Sequence, residues 1–165
     1  GEPKFHHEFR ISLADCPNAC SQPQIKDIGI IGACGPVVGE AAACTQCGAC
    51  VEACREGAVR LDAEAPGPRI DMSACLLCGR CPAACPTECL VTGARGFRVQ
   101  LGGKLGRRPR LARELPGIFD EEAVLGIVAQ CLEFYKRRSR GGRRFAELLS
   151  DEILEAYLRE GRFPD

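Results

Sequence analysis

The chain has 165 residues, 22 Lys+Arg against 22 Asp+Glu, and 13 cysteines; that length holds one ordinary domain, or a core with a small insert. The cysteine number is odd, and most of the cysteines fall in runs with two-residue gaps. This excludes a secreted disulfide scaffold and places the chain in a reducing, cytoplasmic interior. The N-terminus "GEPKFHHEFR" is charged and the longest uncharged run, residues 28–39, is broken by four glycines and Pro36, so no secretory or membrane segment is expected.

In chain order, His6 and His7 come first; adjacent and near a terminus, they read as surface residues. "EFRISLA" follows as a strand. Next is a cysteine pair four positions apart, Cys16 and Cys20, with no other cysteine close by. "DIGIIGACG" is almost wholly apolar and reads as a strand buried on both faces.

The next fifty residues carry the densest chemistry. Cys44, Cys47, Cys50 and Cys54 are spaced C-x2-C-x2-C-x3-C, and Cys75, Cys78, Cys81 and Cys85 repeat that spacing with Pro86 after the last. Three thiolates on one tight loop reach three corners of an Fe4S4 cube; the fourth, a turn of helix away, points to the neighbouring cube. The spacing therefore assigns Cys44, Cys47, Cys50 and Cys85 to one [4Fe-4S] cluster and Cys75, Cys78, Cys81 and Cys54 to a second. Tetrahedral zinc uses paired C-x2-C knuckles, which this is not. Gly48 and Gly79 follow the second cysteine of each run, where a crowded backbone favours a residue without a side chain.

Downstream, "GFRVQLGG" reads as a strand. Residues 93–144 hold thirteen Lys/Arg and five Asp/Glu, a solvated basic face or an anion site. They lack interleaved aromatics, so nucleic acid is not expected. A helix opens at Asp120 as N-cap, carries Val124, Leu125, Val128, Cys131, Leu132 and Tyr135 on its apolar face, and closes at Lys136, Arg137 and Arg138. A second helical stretch over 143–159 is interrupted where Ser150 can cap a separate short helix. Cys131, on the apolar stripe, reads as a core residue.

The duplicated cysteine runs resemble the bacterial two-cluster ferredoxins, with copies near 42–61 and 70–91. The resemblance implies a compact βαβ-type duplication in which "AVRL" and "PRID" are short strands. Arg55 stands where that family usually has Pro, which alters the turn and removes no ligand. Cys89 lies outside both ligand sets, at a small buried position, and reads as packing.

"CPNACSQPQIKDIGIIG" matches C-x3-C-x6-D-[apolar]-G and resembles the sirohaem-containing sulfite and nitrite reductases; "GGKLGRRPRLA" and the capped helix after it resemble that family's C-terminal part, in its anaerobic and dissimilatory branches. The resemblance implies an α+β fold: a sulfite-reductase-like C-terminal α/β scaffold over 1–41 and 93–165, with a 2[4Fe-4S] ferredoxin-type module inserted at 42–92. It implies that Cys16 is a ligand of a third [4Fe-4S] cluster and that Cys20 is both a ligand and the bridge to sirohaem. The basic segment would then face sirohaem carboxylates. The family's other two ligands form a C-x5-C pair, and no cysteine precedes Cys16. An N-terminal reductase half or a second subunit is expected to supply them, with an electron-donor protein as a further partner and no catalytic residue in this chain. The alternatives are a cysteine pair without metal, a site completed by Cys34 and Cys131, and a stand-alone two-cluster electron carrier without sirohaem.

Overall fold

The computed structural model describes residues 8–164; His6 and His7 lie outside them. The chain divides into two compact units, one built from the segments up to Ile31 and from Phe97 onward, the other from Gly32–Gly96. The second unit spans residues 42–92 and reaches past them on both sides.

In the first unit, β1 (Ile11–Ala14) runs parallel to the start of β2 (Ile28–Val38), pairing Ile11 with Ile28 and Ala14 with Ile31. β5 (Leu90–Leu101) pairs antiparallel with β6 (Arg113–Glu114), Gln100 opposite Glu114 and Leu101 opposite Arg113. The sheet order is β1-β2-β5-β6. The apolar character of β2 has a physical consequence: Ile28, Ile30 and Ile31 are all buried, Ile28 and Ile30 among the main core and Ile31 against Ala14 and Ala19. Gly29 is needed because a Cβ there would stand 2.5 Å from the Pro23 carbonyl oxygen of the turn Pro23–Ile25.

Three helices cover this sheet. α3 (Glu121–Arg138) starts at Asp120, whose carboxylate accepts the Ala123 N–H at 2.8 Å, and ends on the basic run Lys136 to Arg138. Both ends complement the helix dipole. α4 (Phe145–Leu148) is a single turn, and α5 (Asp151–Glu160) is capped by Ser150, which accepts from Ile153. The face of α3 that packs is Val124, Ile127, Cys131 and Phe134. Leu125, expected on that face, is 64% exposed. Phe134 stacks on Phe163 at 4.6 Å and meets Phe145 edge-on, so an aromatic cluster selects the buried row.

The second unit is an internal duplication. The first loop places Gln46 and Gly48 in left-handed conformations, and the second loop does the same at Leu77 and Gly79. α1 (Ala49–Ala53) is matched by α2 (Arg80–Ala84), every equivalence being an offset of 31 positions in the sequence. β3 (Val59–Arg60) and β4 (Arg69–Ile70) pair antiparallel, inside the expected "AVRL" and "PRID". By the same offset the end of β2 is the counterpart of β4, and the start of β5 the counterpart of β3. The Gly39 N–H bonds the Cys89 carbonyl at 2.8 Å; in the other strand pair the bond to the Ala58 carbonyl comes one position later, from the Asp71 N–H at 2.8 Å. The module thus borrows its outer strand pair from β2 and β5, which is why this unit is wider than the cysteine runs.

Candidate functional site

Each cysteine loop in the second unit turns through two left-handed residues and enters a five-residue helix at a glycine N-cap. The third cysteine of each run, Cys50 and Cys81, sits in that helix and is buried; the fourth, Cys54 and Cys85, is its C-cap. Cys50, Cys81, Cys54 and Cys85 pack with Val38, Val59, Ile70 and Leu90 in one apolar cluster.

The thiols group across the two copies. Cys44, Cys47, Cys50 and Cys85 line one pocket, closed by Leu61, Pro68, Pro86 and Leu90. Burial pushes the Cys50 thiol up, and Cys44 and Cys85 add to it as the thiol neighbours it senses. Burial likewise pushes Cys81 up to about 11, with Cys75, Cys54 and Cys78 as its thiol neighbours. In each set the fourth cysteine comes from the opposite copy. Among the described residues no three or more His, Cys, Asp or Glu side chains close on a point fit for a single metal ion.

Backbone N–H groups address the sulfurs: Ala58 N–H to Cys54 Sγ at 3.3 Å, Leu77 N–H to Cys75 Sγ at 3.4 Å and Leu90 N–H to Cys85 Sγ at 3.4 Å. The Leu90 bond is the main reason the Cys85 thiol lies below its ordinary value, with Thr87 contributing. Thiolates that accept N–H bonds in an apolar surround are a donor set suited to a polynuclear iron centre, and each set of four thiols fits that group.

Two cysteines outside the runs are also in this unit. Cys89, expected to be packing, is buried and lines the first pocket. The internal repeat could have exposed it, since the equivalent position is Ala58. Cys34 forms a parallel bridge with Cys78, and its Sγ meets Thr92 Oγ1 at 3.4 Å.

In the first unit, Cys16 and Cys20 are exposed thiols on a turn at the end of β1. Ser12 Oγ donates to the Ser21 carbonyl at 2.9 Å and Ser21 Oγ to the Leu13 carbonyl at 2.8 Å, tying the turn to its strand. Ala19, left-handed at φ 52°, is buried against Ala14 and Ile31. The Asn18 side-chain amide donates to Cys20 Sγ at 2.9 Å. Cys131 is wholly enclosed by the core, where burial raises its thiol to about 12.

Part of the basic segment is used internally. Arg110 donates to the carbonyls of Gly102, Ala146 and Leu149; Arg98 pairs with Glu114, Lys104 with Glu147 and Arg113 with Asp151. Arg107 and Arg108 are exposed.

Residues 1–160 match the nitrite and sulphite reductase 4Fe-4S domain. The chain belongs to that family. It is 32% identical over 142 residues to one subunit of the anaerobic sulfite reductase of Salmonella typhimurium, covering 84% of this chain and 42% of that protein. It is 41% identical over 58 residues to the coenzyme F420-dependent sulfite reductase of Methanocaldococcus jannaschii, covering 35% of this chain and 9% of that protein. A crystal structure of dissimilatory sulfite reductase I has the same fold, with a TM-score of 0.61, 16% identity and 95% of this family member covered, against 43% of that chain. This family member therefore spans less than half the length of these relatives. No helix among its described residues is long and apolar enough to cross a membrane.

Proposed function

We propose that this chain is the electron-transferring part of a sirohaem sulfite or nitrite reductase, acting in the cytoplasm. The observation that carries the reading is the crossed grouping of thiols, Cys44, Cys47, Cys50 with Cys85 and Cys75, Cys78, Cys81 with Cys54. Each set would hold one [4Fe-4S] cluster, which when bound supplies a one-electron couple. The chain's own part is to keep eight thiolates fixed, to offset their negative charge with the N–H groups of Ala58, Leu77 and Leu90, and to exclude water with Leu61, Pro68 and Leu90.

Cys16 and Cys20 would be two ligands of a third cluster, Cys20 also bridging to sirohaem, with Asn18 orienting its sulfur. The remaining two ligands would come from a C-x5-C pair on polypeptide outside this sequence, an N-terminal half or a partner subunit; that the Salmonella relative is one subunit of its reductase supports a partner. An electron-donor protein would load the two-cluster unit, and sulfite or nitrite would be reduced at the completed centre.

The experiment is iron, sirohaem and activity analysis of the chain alone and joined to a polypeptide bearing C-x5-C. The chain alone is expected to hold two clusters. Joined, it should gain about four irons and sirohaem, and Cys20→Ser should abolish sulfite reduction while sparing the first two clusters. A joined protein that gains nothing would leave a two-cluster electron carrier as the function. Cys47→Ala should remove one cluster, about four irons, and leave the second.

A further inference from the structure

Five thiols, not four, converge on the first pocket. Besides Cys44, Cys47, Cys50 and Cys85, its wall carries Cys89, a residue 1% exposed that the ligand spacing does not use.

The duplication supplies an internal control. Cys89 stands 31 positions after Ala58, which is equally buried. Both follow a left-handed residue, Glu88 at φ 55° and Gly57 at φ 62°, and both carbonyls accept an N–H from the residue that follows the paired strand, Gly39 and Asp71. The two positions thus share their burial and the left-handed turn before them. The first pocket has a thiol at the position where the other copy has the methyl group of Ala58.

Cys44 shares that pocket wall with Cys89 and, after burial itself, helps push the Cys89 thiol up. A thiol in a buried apolar setting keeps its proton, so the pocket wall carries an S–H donor beside the four sulfurs. Reducing an iron–sulfur centre adds negative charge that its ligand sulfurs share. A donor on one sulfur stabilises the reduced form more than the oxidised one.

We propose that Cys89 is a positioning residue in the pocket wall, whose S–H donates to a sulfur of the cluster held by Cys44, Cys47, Cys50 and Cys85, raises that cluster's reduction potential and leaves the other cluster untouched. The proposal rests on the reading that each set of four thiols holds a [4Fe-4S] cluster.

The test is an anaerobic redox titration of the reconstituted full chain, followed by EPR, with iron counted in the same samples. Cys89→Ala copies the residue of the other half and should leave iron at the wild-type level while moving one of the two potentials to a more negative value. Cys89→Ser keeps a donor and should restore most of that shift. Ala58→Cys should move the other potential upward. Unchanged potentials in Cys89→Ala with iron intact would overturn the proposal and leave the cluster reading standing. Loss of one cluster's iron in that variant would also overturn it, by making Cys89 a ligand. A wild-type chain without iron would overturn the cluster reading and this proposal with it.

Discussion

Gly79 shows at the scale of one residue how the cysteine loops constrain their sequence. Its φ of 71° is left-handed, and a Cβ there would lie 2.8 Å from Cys34 Sγ and 2.9 Å from Cys34 Cβ. Its counterpart Gly48, φ 81°, has open space at the same place. Gly79→Ala should therefore destabilise the protein more than Gly48→Ala, the latter by about 1 kcal/mol from backbone strain alone and the former by about 1–3 kcal/mol more because the neighbour must also move; thermal unfolding of the two variants checks the order. Spacing made both glycines legible as positions beside a cluster; at Gly79 the fold adds a crowding protein neighbour, Cys34. What the sequence left hidden was Cys34, 45 positions earlier in the sequence, because a parallel bridge between distant segments leaves no local spacing to read. Cys89 was hidden for a different reason. It looks like any small buried residue until the second copy is laid over the first.

At the scale of an element, α3 combines a legible frame with an illegible face. Asp120 as N-cap, the acidic first turn and the basic last turn follow local rules, and the helix has those ends. Two apolar rows run along it, one through Leu125 and Leu132 and one through Ile127 and Phe134. Only tertiary packing decides between them, and Phe145 and Phe163 lie on the second. Phe134→Ala should cost about 3–5 kcal/mol and Leu125→Ala under about 0.5 kcal/mol, measured by denaturant unfolding; equal losses would put the wrong row in the core.

The pairing of β5 with β6 makes a pH prediction. Burial would raise the Glu114 carboxyl, but the hydrogen bonds from Arg98 and Gln100 outweigh it and hold the group below its ordinary 4.5. A carboxyl depressed by folding contributes stability above its unfolded value and loses it as pH falls through the folded one. The stability gap between wild type and Glu114→Gln should thus be constant at neutral pH and shrink below about pH 4.5, read from melting temperatures across an acid series.

For the whole molecule, the two-unit organisation follows from the duplication. The cysteine runs mark 44–85, but each copy also needs a strand before its loop and one after its helix. The outer pair comes from β2 and β5, whose other ends belong to the α+β unit. Hydrophobic runs show that these strands exist; they do not show that each serves two units, since that depends on pairing across more than fifty residues. The same logic separates the two kinds of cysteine site. The eight thiols proposed as ligands all lie inside Gly32–Gly96, whereas Cys16 and Cys20, the proposed half-site, lie on a pinned turn in the other unit. Completion of that half-site is accordingly proposed to depend on further polypeptide.

The most direct test is an iron and acid-labile sulfide count, with EPR of the dithionite-reduced sample, on the full chain purified without oxygen. Two crossed sets of four thiols predict about eight irons and the spectrum of two interacting [4Fe-4S]+ clusters. Stoichiometric zinc with no iron, or about four irons insensitive to Cys85→Ala, would contradict the account.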